Sequence, residues 1–410
     1  MNMKKTLPTT FEYNNINHLH IELTNKCNAA CPMCMRFHQS SPLIRPDITL
    51  GEISLDQFKG WFPPEFLTRI QLILFCGVHG DPIMATDVLE ITKYILESSP
   101  TTTIIFNTNG GMRTPEWWDE FGSILKSNQN NYVTFSIDGL EDTNHIYRRN
   151  VKWNKLISNV KSYISAGGRA RWEYLIFKHN EHQIDIAKAF SSSIGFYEFV
   201  PKKALGVDNG EYTYSMGVLN KNGELDYIID APTNPENRNL ENPKGYNGIS
   251  ANLFTIEQYN DFKKTTKIQD YHKHAYTNIY ETLNDEKYTN ENNCTIKCKS
   301  FRGNIVDLFI DNYGNVFPCC YIGTHLNGNY ADDKTLQLHH EVKKYGLDKF
   351  NLNQYSIKEI LDSGHINNLY VNSWSKESIS NGKLLFCADT CGKVSSIDNI
   401  MTHCGKEKFK

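Results

Sequence analysis

The eleven cysteines of this 410-residue chain fall into groups: three between 27 and 34, one at 76, four between 294 and 320, and three between 387 and 404. The first group reads Cys27-Asn-Ala-Ala-Cys31-Pro-Met-Cys34. Three thiolates this close suit a [4Fe–4S] cube, holding three irons and leaving the fourth without a protein ligand. An iron so exposed would chelate the amine and carboxylate of a methionine moiety and set its sulfonium beside a one-electron donor. The competing reading is zinc, or a set of unconnected buried cysteines. Zinc takes four protein ligands in paired short spacings, and the nearest further Cys or His to this group is His38.

In the second half, Cys298 is followed after fifteen residues by Gly314, and after four more by Cys319; Cys387-Ala-Asp-Thr-Cys391 comes later, read as a loop. Four thiolates make a closed site, fit for a fully ligated cluster or for structural zinc. Spacing alone leaves the two open. Cys76, within an apolar run, reads as a small core residue.

These groups need a scaffold. Apolar runs at 18–23, 70–75, 103–106, 132–137 and 172–177 read as short buried strands. Between them, 54–62, 85–97, 115–127, 153–166 and 182–190 have helical length and spacing. Regular strand–helix alternation predicts an α/β fold with a parallel sheet, open or partly closed into a barrel, whose chemistry sits on loops after the strands. Residues 204–293, rich in Asn, Tyr and Lys, read as a linker or substrate-covering segment, with helical spacing at 253–267. Further on, 306–310 and 315–319 flank Asp311-Asn-Tyr-Gly314 as a β-hairpin requires, and 357–361 reads as a short helix.

With 40% apolar and 12% aromatic residues the chain can bury a sizeable core. A net charge of −3 leaves no basic footprint for nucleic acid. Residues 1–13 lack the apolar segment of a secretory signal, and no stretch has the ~18 apolar residues of a membrane helix. A cytoplasmic protein is expected, in which thiols stay reduced and ligate metal rather than pair as disulfides.

Cys27, Cys31 and Cys34 in a CxxxCxxC pattern, after Glu22-Leu-Thr-Asn25, resemble the signature of the radical S-adenosylmethionine (SAM) superfamily. The resemblance covers roughly residues 17–200 and implies a partial (β/α)6 TIM-like barrel over 1–203, a relative of the closed barrel. Met33 stands where many members carry an aromatic residue whose backbone meets the adenine. Gly77-Val-His-Gly80-Asp81-Pro82 is similar to the family's Gly-Gly-Glu segment, which receives the SAM amino group, with Asp81 in place of Glu. Asn107, Asn109, Ser136 and Asp138 match positions near the SAM ribose and carboxylate, and Arg149 is the candidate partner of that carboxylate. By residue type alone these positions read as ordinary caps and turns. The 294–410 region is similar to the SPASM/twitch extension of such enzymes. Cys298, Cys319, Cys387 and Cys391 would then hold one auxiliary [4Fe–4S] cluster, with Cys294, Cys320 and Cys404 unassigned.

The resemblance implies reductive cleavage of SAM to a 5′-deoxyadenosyl radical, which removes hydrogen from an unactivated carbon, with flavodoxin or ferredoxin as electron donor. The implied reaction is oxidation or rearrangement of a small polar metabolite, or modification of a peptide side chain. A zinc-stabilised binding module and a radical SAM RNA-modifying enzyme are the alternatives.

Overall fold

The computed structural model describes residues 9–37, 41–45, 48–204, 215–238, 283, 285–327 and 333–392. His38, Cys404 and the helical spacing at 253–267 lie outside the described residues. The strands are β1 (His18–Ile21), β2 (Leu72–Phe75), β3 (Thr103–Thr108), β4 (Tyr132–Ser136), β5 (Ala170–Ile176), β6 (Glu198–Lys203), β7 (Ser215–Leu219), β8 (Leu225–Asp230), β9 (Phe301–Arg302), β10 (Ile305–Ile310) and β11 (Val316–Phe317). The helices that alternate with the first six are α1 (Leu55–Trp61), α2 (Pro64–Leu67), α3 (Val88–Ser98), α4 (Pro115–Leu125), α5 (Asn144–Tyr147), α6 (Trp153–Ser165) and α7 (Ile184–Ile194). The chain packs into two compact units, one of residues 1–22, 53–73 and 268–410, the other of 23–52 and 74–267. The first 203 residues are thus shared between both, and β2 straddles the division.

In the 23–52/74–267 unit the strand order is β2-β3-β4-β5-β6, and β3/β4, β4/β5 and β5/β6 pair in parallel. Intervening helices make this possible, since parallel neighbours need a long crossover. Thr114 caps α4 by accepting from the Trp117 N–H, and Pro115 occupies the first turn, where its missing N–H costs nothing. The helix buries Trp118, Phe121, Gly122 and Leu125, one face of a 3.6-residue period. Helix α6 meets it with Tyr163, whose carbonyl would lie 2.5 Å from a Cβ at Gly122, so only glycine admits this approach. Along β5, Ala170, Trp172, Tyr174 and Ile176 are buried while Arg171, Glu173 and Leu175 are half-buried. Trp172 packs on Phe190 of α7, at 6.3 Å between ring centres, and Phe106 of β3 packs on Phe121 of α4, at 5.0 Å. On the other face β5 carries Arg171, Glu173 and Leu175. Strands β6, β7 and β8, the last two an antiparallel hairpin, arise where no strand is expected from the sequence.

In the other unit, β10 lies parallel to β1, His18 opposite Asp307 and Ile21 opposite Ile310. It also turns back antiparallel onto β11, as the hairpin signal predicts. The turn is organised by Asp311, whose carboxylate accepts from the N–H groups of Tyr313 and Asn315 at 3.0 and 2.8 Å. Gly314 takes φ 88°. Ser356 and Glu359 form a capping box at the helix Ile357–Asp362. Cys387 and Cys391 lie on a helix, Leu385–Cys391, rather than on a loop. Leu385, Phe386 and Ala388 give it an apolar face, and Gln337 pins its start by donating to the Lys383 carbonyl and accepting from the Leu385 N–H. Cys76 follows β2 and is half-exposed, with its thiol toward the Gly77 carbonyl, so it is not a core residue.

Candidate functional site

The loop after β1 turns tightly, the Cys34 N–H donating to the Cys31 carbonyl at 3.0 Å. Arg36 donates to the Cys27 carbonyl at 2.8 Å, and the Ala30 N–H to the Arg149 carbonyl at 3.0 Å. The three thiols are brought together: burial, then Asp81, then Cys31 and Cys34 push the Cys27 thiol well up, and burial followed by Cys31 pushes Cys34 up to about 11. Two donors meet the sulfurs, Asn109 Nδ2 at 3.6 Å from Cys27 Sγ and Arg148 Nη1 at 3.6 Å from Cys31 Sγ. Thiols buried this closely resist ionising together, and a cationic centre would offset the charge of their thiolates. Such donors to sulfur are what an iron–sulfur cluster uses to tune its charge.

The loop after β2 is drawn onto the same spot. The Asp81 N–H donates to the Lys26 carbonyl at 2.9 Å. A Cβ at Gly80 would stand 1.8 Å from the Thr24 carbonyl, and one at Gly77 2.0 Å from the Gly80 carbonyl. Asp81 is buried, and its Oδ2 accepts from Thr108 Oγ1, the Asn109 N–H and Asn109 Nδ2 at 2.9, 2.8 and 2.7 Å. Its Oδ1 caps the short turn Pro82–Met84 through the Ile83 N–H. Burial pushes the Asp81 carboxyl up against those bonds. Asp81 therefore clamps the end of β3 and aims Asn109, which also donates to Asn28 Oδ1 at 2.9 Å. Loops following three strands are locked together around Cys27.

At the end of β4, Asp138 is fully buried. Its Oδ1 accepts from the Leu175 N–H at 2.6 Å and its Oδ2 from Arg148 Nε at 2.5 Å. Arg148 thus bridges Asp138 and Cys31; the sequence reading singles out its neighbour Arg149, as a partner of the SAM carboxylate. Arg149 instead reaches the Leu219 carbonyl and Asp226, both at 3.1 Å, on the β7–β8 hairpin. The doublet Arg148-Arg149 gives no signal for choosing between them; the turn after α5 decides it. Asn107 and Ser136 lie on β3 and β4, in register with Thr134 and Glu173 respectively, and Met33 is half-buried in the cysteine turn.

Residues 21–189 match the family model described as the radical SAM superfamily. This segment of the chain is a radical SAM domain by its match to that family. Among curated relatives, the GTP 3',8-cyclase of Microcystis aeruginosa is 26% identical over 162 residues, 39% of this chain and 41% of that protein. That of Desulforamulus reducens is 28% identical over 148 residues, 36% of this chain and 42% of that protein. The chain thus spans about two fifths of the length of these relatives. Among solved structures, anSMEcpe with bound AdoMet covers 95% of this chain and 93% of its own at 13% identity and a TM-score of 0.45. Streptococcus suis SuiB bound to S-adenosylmethionine covers 91% and 77% at 13% identity and a TM-score of 0.43. Among the described residues no helix is long and apolar enough to cross a membrane.

If the matched segment binds SAM as its family does, Gly80→Ala is expected to weaken that binding about tenfold, in line with ~1–3 kcal/mol for overpacking. Isothermal titration with SAM reads this directly. An affinity within about twofold of the unsubstituted protein would show that the β2 loop can move without harm.

Beyond the radical SAM domain, four further thiols converge. The Ser300 hydroxyl donates to the Pro318 carbonyl at 2.5 Å, tying the Cys298 turn to Cys319, and the Lys297 N–H donates to the Cys391 carbonyl at 3.1 Å. Cys387 and Cys391 are one turn apart on their helix. Burial, then Cys391, pushes Cys298 up to about 12; burial, then Cys391, Cys298 and Cys319, pushes Cys387 well up. Cys294 lies against the same helix, its thiol donating to the Glu291 and Ala388 carbonyls at 3.1 and 3.8 Å. Cys320 opens the helix Cys320–Leu326. Among the described residues no three His, Cys, Asp or Glu are grouped as ligands of one metal ion. In a cluster each thiolate binds its own iron, so this grouping is not needed.

Proposed function

We propose that this protein is a radical SAM enzyme that abstracts hydrogen from an unactivated carbon of a small polar metabolite or a peptide side chain, with oxidation or rearrangement as the net result. The observation that carries this is the meeting of Cys27, Cys31 and Cys34 with the two sulfur-directed donors Asn109 and Arg148. When bound, the cluster and SAM supply a 5′-deoxyadenosyl radical by one-electron cleavage of the sulfonium–carbon bond. The chain's own part is position. Cys27, Cys31 and Cys34 hold three irons; Arg148 and Asn109 stabilise thiolate charge; Asp81 and Asp138 fix those two donors. Met33, Gly80, Asn107, Asn109 and Ser136 are read as SAM contacts, a reading supported by their place on the cysteine loop and at or beyond the ends of β2, β3 and β4. Cys298, Cys319, Cys387 and Cys391 are read as ligands of an auxiliary [4Fe–4S] cluster, and a small flavin or iron–sulfur protein such as flavodoxin or ferredoxin as the reductant.

The test is anaerobic reconstitution with iron and sulfide, followed by metal analysis and assay of 5′-deoxyadenosine formation from SAM with dithionite. About eight irons per chain and SAM cleavage are expected for two clusters. About four irons with cleavage would remove the auxiliary cluster. Stoichiometric zinc without cleavage would overturn the radical reading.

A further inference from the structure

The four cysteines Cys298, Cys319, Cys387 and Cys391 have two buried hydrogen-bond donors beside them, Tyr370 and Trp374. Tyr370 lies in the π-helical turn Asn367–Val371 and is fully buried, and its hydroxyl meets no hydrogen-bond partner among the described residues. One turn later, the indole Nε1 of Trp374 is buried, with the Cys387 thiol as its neighbouring acceptor. Trp374 is held edge-on to Phe301, at 5.9 Å between ring centres, and the Phe301 N–H donates to the Cys298 carbonyl at 3.2 Å. This fixes the indole beside the cysteine turn. Both rings lie within electrostatic reach of the thiols, Tyr370 of Cys387 and Cys319, and Trp374 of Cys387, whose thiolate it favours. Buried hydroxyl and indole N–H groups almost always find an acceptor, and π-turns recur at functional sites. The chemistry nearest these two is sulfur.

We infer that Tyr370 and Trp374 form a donor wall for the four-cysteine centre, the hydroxyl and indole N–H donating hydrogen bonds to cluster or thiolate sulfur. This rests on the auxiliary-cluster reading and deepens it. A cluster that gains one electron gains negative charge on its sulfurs, so donors favour its reduced form and raise its potential. Bridging sulfides also offer acceptor sites that a zinc ion bound by the same thiolates lacks.

The experiment uses the full chain with Cys27, Cys31 and Cys34 changed to alanine, so that only the second centre can load. Tyr370→Phe and Trp374→Phe are added to it singly. Iron is counted, and the one-electron midpoint is found by dithionite titration followed by electron paramagnetic resonance. Four irons, with the reduction equilibrium shifted about tenfold toward the oxidised form by Tyr370→Phe, equivalent to about 59 mV, is the expected result. Because a substituted centre could fail to assemble, the centre with Tyr370 and Trp374 intact is also examined by proton hyperfine spectroscopy in light and heavy water. At least one strongly coupled, exchangeable proton is expected there. Four irons with unshifted midpoints in both variants, or no exchangeable coupling, overturns the donor wall and leaves the cluster standing. Zinc in place of iron overturns the cluster reading, and the donor wall falls with it.

Discussion

A chain with alanine at Cys27, Cys31 and Cys34 is expected to lose 5′-deoxyadenosine formation from SAM at least about a thousandfold, roughly 4 kcal/mol of barrier, while keeping about four of its irons. The reason is the proposed division of labour, with these three thiols assigned to one centre and Cys298, Cys319, Cys387 and Cys391 to another. Cys27 is raised by Cys31 and Cys34, and Cys298 by Cys391. Substitution in the first set is therefore expected to leave iron in the second. Iron analysis and chromatographic quantification of deoxyadenosine check both halves. A variant that still cleaves SAM would remove these cysteines from the chemistry. Loss of all iron would mean that the second centre depends on the first.

The second large effect concerns two adjacent arginines. Arg148→Met should destabilise the protein by about 3–5 kcal/mol, the cost of leaving a buried charge without its partner, and should also abolish SAM cleavage. Asp138 is fully buried, and Arg148 is its only charged hydrogen-bond donor among the described residues. The same guanidinium reaches Cys31 Sγ. Arg149→Met should cost no more than about 1 kcal/mol, because its partner Asp226 is 44% exposed and surface pairs are weak. Urea denaturation of the two variants, with SAM cleavage measured on each, separates them. Equal effects would mean that Arg148 does not form the pair with Asp138 in solution.

Much of the strand–helix alternation is legible because its signals are local. Buried strands announce themselves as short apolar runs, and α4 and α6 as repeats of about 3.6 residues with Thr114-Pro115 as a start signal. Strand β6 is missed because its edge position leaves Glu198, Pro201 and Lys203 exposed, so it lacks an apolar run. Hairpin β7–β8 is missed for a similar reason: Leu225, Asp226 and Ile228 are exposed. The turn Asp311–Gly314 is legible, since Asp and Gly supply the carboxylate and the positive φ that it needs.

By itself, the sequence determined which chemistry the protein is equipped for. Cysteine spacing is a short-range property, and three thiols in one turn can reach a common centre whatever lies around them. It also determined which segments become strands and helices where periodicity is strong. Only the tertiary structure decided that β10 pairs with β1, nearly three hundred residues earlier, since such a contact is paid for by loop closure and leaves no local mark. It likewise decided that Arg148 rather than Arg149 reaches Cys31 Sγ with its side chain, that Asp81 commits its carboxylate to Asn109 and Thr108, and that the Tyr370 hydroxyl and Trp374 indole N–H are buried. Each depends on the direction of a side chain, which follows from packing that composition and spacing do not encode.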